Sequence, residues 1–495
     1  MKKLAVLLSL LMMMMPSLTM VACSEDTSSD NSSNMPNDAA PVETEMETEP
    51  DIYAEGLAAL SDTGYNGAEF SLLTRAKELY ESFSEELTGE STNDIIFERN
   101  LYIEEQFDVT LNITSAENHD ILIQMMSDSV MANDMLYDLV AQRNYKASEL
   151  IAKGLCGNWL DISPVNLDAP WWTQMANEDA TINNKLFAIT GDFCITNMLY
   201  LYVMFYNADV AATHGITAES LQNAVLDGTW TYDTFNSLVK DLYEDTNGDG
   251  TADASDFYGM VLSSDNMLDA WLTAFDQPIF EVTPSGKMNI TLVTDKTISA
   301  LEKVYSLYHE NAGTFNFGEW KTQDAQDAFN SGHGVFLAGQ LNDARTRHAD
   351  VNFNLGILPY PKWDEAQKEY YSVSGDIYSA LVYPINTPES DYAFIGTITE
   401  ALTIVTSRDV APVFFDSALK GRYSMDQNTS EIVDIIMNGR RFDFSIQWGN
   451  QLQIPYMFRN LIIEKSTDLS SAYARTEKSI QKNLAMIEKI YGIGE

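Results

Sequence analysis

The sequence predicts an α/β fold with mainly parallel sheets. Short apolar runs of strand length alternate with stretches whose apolar residues fall at helical spacing. The 495 residues are 45% hydrophobic, enough for more than one core-bearing lobe. No internal repeat interrupts the alternation. Phe70-Ser-Leu-Leu-Thr74 reads as a first strand. Residues 93–107 read as a helix, with Ile95/Ile96 and Tyr102/Ile103 on one face. Residues 109–113 alternate apolar and polar, and 137–141 (YDLVA) read as a buried strand. Further strands are expected at 199–206, 257–262, 334–338 and 355–358. Thr231 is placed to cap a helix carrying Phe235, Leu238, Val239 and Leu242 on one stripe. Asp295 starts another, with Ile298, Leu301, Tyr305 and Tyr308. A long helix over 468–491 ends at Gly492.

The N-terminus has its own logic. Lys2 and Lys3 precede an apolar run over 4–15, the length of an export signal and too short to span a bilayer. Met20-Val21-Ala22-Cys23 resembles a bacterial lipobox. That implies a signal peptide over 1–22 and acylation of Cys23, with Met20 departing from the usual leucine; the alternative is a plain secretory signal. Residues 24–50 hold eight acidic side chains and no basic one. Such a segment cannot bury enough apolar surface to offset its entropy, so 23–64 is expected to be an extended, disordered tether. The body is then expected outside the cytoplasm, held at the membrane by lipid.

About 430 residues remain for the folded body. The net charge of −44 excludes nucleic acid as a partner and repels an anionic membrane surface. Beyond Cys23 only Cys156 and Cys194 are present, readable either as a disulfide or as two buried thiols.

Eight segments in order resemble the family 1 extracellular solute-binding proteins of bacterial ABC importers, the maltose and multi-sugar type. They are ERNLYIEEQFDVTL (98–111), YDLVAQRNYKASELIAKGLCGNWLDI (137–162), APWWTQMANEDATINNKLFAIT (169–190) and LYLYVMFYNADV (199–210). GTWTYDTF (228–235), DAFNSGHGVFLAG (327–339), NFNLGILPYPK (352–362) and ALVYPINTPESDYAFIGTITEAL (380–402) follow. The resemblance implies a periplasmic-binding-protein-like fold of two lobes joined by a strand hinge. Lobe 1 would take 65–203 and 322–384, and lobe 2 would take 204–321 and 385–495. It also implies a monomer that closes on a carbohydrate, an oligosaccharide by preference, and presents it to a membrane permease.

Sugars are held by aromatic faces and by planar polar side chains. Trp171 and Trp172 are adjacent, so one is expected in the cleft and one in the core; the alternative is that both are core. Trp448 is either a second-lobe cleft aromatic or a core residue. Arg75, Gln142 and Arg143 stand at the carboxyl ends of expected strands, where open α/β sheets bind ligands. Gln340, Asn342 and Arg345 follow the GVFLA strand, where maltose-type proteins often carry an aromatic. Trp159, Trp230, Trp271 and Trp363 read as structural.

DTNGDGTADASD (245–256) fits a twelve-residue calcium loop, with Asp256 in place of the usual glutamate. Asp245, Asn247, Asp249, Thr251, Asp253 and Asp256 are the candidate ligands of a structural ion; the alternative is an Asx-rich turn without metal. No cofactor is expected for function. The five histidines form no zinc spacing, and no nucleophile elbow or P-loop is present. The expectation is a non-catalytic binding protein. A carbohydrate-active enzyme using two carboxylates, or a sensing receptor or adhesin on the same fold, are the alternatives.

Overall fold

A computed structural model describes residues 51–60, 64–283, 287–419 and 427–493. The signal-like run, Cys23 and residues 24–50 lie outside them. In chain order the strands are β1 (Ala68–Arg75), β2 (Val109–Ala116), β3 (Leu139–Arg143), β4 (Tyr202–Asn207), β5 (Tyr243–Glu244), β6 (Phe257–Ser264) and β7 (Phe280–Val282). There follow β8 (Met288–Ile290), β9 (Thr314–Glu319), β10 (Gly334–Gln340), β11 (Leu355–Leu358), β12 (Ser372–Val373), β13 (Ser379–Val382) and β14 (Arg440–Arg441).

Two sheets organise the body. The first has the order β13-β3-β1-β2; its β1, β2 and β3 run parallel, and β13 is antiparallel to β3. The second has the order β11-β4-β10-β6-β5, with β9 added to β6. Here β6, β9 and β10 are parallel, and β4 is antiparallel to both its neighbours. All residues of β4 and β6 are buried, which is why they read as continuous apolar runs rather than as alternating ones.

The helices begin and end where side chains satisfy free backbone groups. Glu90 accepts from Thr92 N and Asn93 N at the head of Ser91–Phe107, and Asp108 closes it in the left-handed region at φ 49°. Thr231 Oγ1 accepts from Thr234 N at 3.2 Å, as its spacing predicts. Asp468 caps the terminal helix Leu469–Ile490.

The structure corrects three boundaries. Residues 51–60, expected in the tether, fold: Asp51 caps the helix Ile52–Ala59, and Tyr53 and Leu57 pack on the first lobe's core. This segment carries apolar residues on helical spacing, which 24–50 lack. Within 322–384, assigned above to lobe 1, β10 and β11 lie in the second sheet and only β13 joins the first. The chain crosses over near 372–379, because β10 is apolar on both faces and fits only between β4 and β6. The C-terminal part is likewise shared. Helix Tyr392–Val405 packs on Ser91–Phe107 and Ile52–Ala59, whereas Met457–Ile463 packs on Asp295–His309. The terminal helix spans both: its Ile490 carbonyl accepts from Lys185 Nζ at 3.1 Å, and Glu488 accepts from Met288 N at 3.1 Å.

Cys156 and Cys194 are separate buried thiols, so the disulfide reading is set aside. They belong to different hydrophobic clusters, and burial pushes both thiols well above their ordinary range.

Buried carboxyls give the fold a pH dependence with a definite sign. Burial pushes Asp269 up to about 8, Glu81 up to about 7, and Asp138, Asp179 and Asp343 up to about 6. The unfolded chain releases these protons first, so stability present at low pH is lost as pH rises from about 4 to about 8. His348 works the other way: burial lowers it to about 4, so its contribution is lost as pH falls below about 6.5. Self-repulsion of the negative chain adds to the alkaline loss. The melting temperature is expected to be higher at pH 6 than at pH 8.5, with part of the difference surviving high salt. A melting temperature that climbs over that interval would contradict the assignment.

Candidate functional site

The carboxyl ends of the parallel strands converge. β1 ends at Arg75 and β3 at Arg143; β6 ends at Ser264, β9 at Glu319 and β10 at Gln340, and antiparallel β4 begins there at Tyr202. Short contacts tie the two sets together through residues 374–378. Tyr145 N donates to the Asp376 carbonyl at 3.4 Å, and the Tyr456 hydroxyl donates to Asp376 Oδ2 at 2.7 Å. Asn266 Nδ2 donates to the Tyr202 hydroxyl at 3.2 Å. In open α/β sheets this edge is where ligands bind.

One wall comes from the first sheet. Arg75 and Arg143 both pair with Glu78, at 2.9 and 2.8 Å. Gln142 is fully buried beside them; its Oε1 accepts from Arg143 N at 2.9 Å and lies 3.2 Å from His119 Nδ1. The Tyr145 hydroxyl lies 3.3 Å from His119 Nε2. Burial lowers His119, the hydrogen bond with Gln142 opposes that, and Arg75, Arg143 and Lys146 lower it further.

The opposite wall comes from the second sheet and the C-terminal helices. Asp269 is ion-paired with Arg459, whose guanidinium lies 4.7 Å from the Tyr456 ring centre and 5.6 Å from that of Trp320. Trp320 follows β9, is 55% exposed, and is held in the left-handed region at φ 56°. For a bulky side chain that backbone is an outlier of the kind found at functional sites. Burial raises Asp269, which Arg459 offsets in part. Beyond Tyr456 and Asp376 the floor continues past Asp443 into a cavity of about 550 Å³. Asp179, Phe280, Tyr371, Arg441 and Phe444 are among its lining residues. The Arg441 guanidinium stacks 4.1 Å from the centre of the Tyr371 ring.

The structure therefore brings together Arg75, Gln142 and Arg143, while Gln340 ends β10 in the second sheet beside Tyr202 and Gly375. Asn342 and Arg345 sit one turn further on. There Asn342 Oδ1 accepts from Arg345 Nε at 2.8 Å, and the guanidinium lies 5.2 Å from the Phe414 ring. The tryptophans differ from expectation. Trp171 and Trp172 are 4% and 2% exposed, and both indoles donate to Glu400, at 2.7 and 2.8 Å. Neither faces the cleft. Trp448 is also a core residue, packed with Phe444 and Tyr491. Sequence reasoning missed Trp320, Asp269, Asp376, Tyr456 and Arg459. Trp320 did leave a signal: a lone tryptophan between Glu319 and Lys321, in a stretch with no helical stripe.

The 245–256 loop closes on itself. Asp245 accepts from Gly248 N at 2.7 Å and Gly250 N at 2.9 Å, Asn247 from Asp249 N at 2.8 Å, and Asp249 from Thr251 N at 2.7 Å. Asp253 accepts from Ser255 N at 2.8 Å. Asp256 turns inward to Thr246 N and the Tyr243 hydroxyl, at 3.1 and 3.0 Å. Among the described residues no three acidic, histidine or cysteine side chains gather as a metal set. As arranged, the side chains of the loop serve its own backbone amides.

No protein-family model and no curated protein sequence matches the chain. Solved structures do match. An ABC substrate-binding protein from Listeria monocytogenes in complex with cycloalternan is 12% identical, with a TM-score of 0.51, over 86% of this chain and 100% of that one. A cyclo/maltodextrin-binding protein complexed with maltotetraose is 13% identical, with a TM-score of 0.56, over 84% and 97%. UgpB from Mycobacterium tuberculosis in complex with glycerophosphocholine is 14% identical, with a TM-score of 0.55, over 85% and 99%. At that identity the likeness is one of architecture: the chain has the periplasmic-binding-protein-like fold of ABC-transporter substrate-binding proteins.

Proposed function

We propose that the protein captures a carbohydrate between its two lobes and delivers it to an ABC importer, without chemical change. One observation carries this reading. The strand-end cleft combines the aromatic rings of Trp320 and Tyr456 with the planar polar groups of Arg459, Asp269 and Asp376. Rings cover the C–H faces of a sugar, and planar groups bond its hydroxyls. The likeness to proteins solved with cycloalternan and maltotetraose supports the same class. A ligand touching both walls would favour the closed arrangement by its differential affinity, which is how capture becomes a signal to a permease. Acylation of Cys23, with residues 24–50 as the tether, would hold the body at the outer face of the membrane as a monomer.

The test is a thermal-shift and calorimetric screen of residues 51–495 against mono- and oligosaccharides, with amino acids and short peptides as controls. A saccharide should raise the melting temperature in a concentration-dependent way and be recovered intact. Turnover of a saccharide would move the reading to an enzyme. Stabilisation by peptides alone would remove carbohydrate from it.

A further inference from the structure

The first wall holds several buried donors without a hydrogen-bond partner among the described residues, and beside them the buried oxygens Glu78 Oε2 and Thr74 Oγ1 lack one too. Arg75 is 6% exposed and Gln142 is fully buried. Arg75 Nε, Arg143 Nε and Gln142 Nε2 are these buried nitrogens, and Gln340 Nε2 in the second sheet is another. Buried donors of this kind are rare in folded proteins and each calls for an acceptor. Charge points the same way. Two guanidiniums share the single carboxylate of Glu78. Lys146 is taken by Glu149 and Asp120. Glu81, the next carboxyl, turns to Thr196 N and the Ser379 hydroxyl. Arg75, Arg143 and Glu78 by themselves therefore hold one positive charge in excess, inside a chain whose net charge is −44, while Lys146 with Glu149 and Asp120 holds one negative charge in excess beside them. A buried cation without a full partner is costly, and planar guanidinium groups match the oxygens of an anion.

We propose that the carbohydrate is acidic: an oxyanion on the sugar, carboxylate or sulfate ester, seats against Arg75 and Arg143, with Gln142 donating beside it. This rests on the carbohydrate reading above and adds the charge of the ligand to it. The anion would complete the pairing that Glu78 leaves half made, while the rings of the opposite wall cover the neutral part of the saccharide.

Calorimetry on residues 51–495 tests it, with uronate oligosaccharides, their methyl esters, sulfated oligosaccharides and neutral oligosaccharides as probes. An acidic saccharide should bind at least about tenfold more tightly than its neutral counterpart, as one or two charge-assisted bonds supply. The carboxylate and sulfate arms identify the source of the oxyanion. Arg143→Gln should shrink the preference to within about threefold, and Arg143→Lys should keep part of it. Arg143 is chosen because it is less buried than Arg75, and a melting curve of each variant checks folding. Raising the salt concentration should weaken the acidic ligand and spare the neutral one. Neutral saccharides binding as well as acidic ones would overturn this proposal and leave the carbohydrate reading standing. Binding of no saccharide would overturn both.

Discussion

Glu400→Ala is expected to cost about 2–5 kcal/mol of stability, since each buried donor left unpaired costs about 1–3 kcal/mol. The carboxylate accepts from both Trp171 Nε1 and Trp172 Nε1, and from Asn166 N at 3.2 Å. All three donors lose their acceptor at once, and both indoles remain in the core. One effect opposes the loss: burial raises Glu400, so removing it relieves a desolvation cost. The two unpaired indoles win because both rings are buried, at 4% and 2% exposure, while Asn166 is exposed and can turn to water. A β-carbon on Gly56 of helix Ile52–Ala59 would stand 2.6 Å from Trp171 Cη2, a measure of how tightly the helix lies on the ring. Glu400→Gln should fall between the two, because its carbonyl serves one indole while its amide opposes the other. Urea denaturation followed by tryptophan fluorescence reads both the stability and the environment of the two rings. A loss below about 0.5 kcal/mol for Glu400→Ala, the level of an ordinary surface change, would show that the indoles find other acceptors.

That same cluster shows why parts of the site were not legible in the sequence. The acceptor that holds Trp171 in the core lies 229 residues away, and local spacing carries no trace of it. Period alone identified β11 to the residue and helix 93–107 to within two positions, because burial on one face leaves a local mark. The strand-end positions of Arg75, Gln142 and Arg143 were legible for a different reason. Parallel strands followed by helices fix which end carries the ligand, so position on a strand was enough. β10 and β11 were legible as strands, but their sheet was not, since pairing partners are a long-range property. The calcium pattern was legible as composition. Its carboxylates went to the nearest backbone amides, a competition that short Asx side chains win within a tight turn.

Replacing Trp320 is expected to separate binding from stability. An L-residue in the left-handed region costs about 1–2 kcal/mol, and a ring that is 55% exposed recovers only part of it through its contact with Arg459. The strand register does not require tryptophan there; Trp320 N simply donates to the Ser264 carbonyl at 3.2 Å, which any residue but proline can do. Trp320→Gly should therefore raise stability by about 1 kcal/mol, because glycine adopts this backbone freely. It should at the same time lower saccharide affinity about tenfold or more, since the ring is the exposed aromatic of its wall and Arg459 stands 5.6 Å from its centre. Trp320→Ala keeps the backbone cost and loses the ring, so its stability should stay near that of the parent while its affinity falls as far as the glycine variant's. Melting curves and calorimetry on the three proteins give the comparison. A glycine variant less stable than the parent would remove the strain argument. A glycine variant that binds saccharide as tightly as the parent would take Trp320 out of the binding wall.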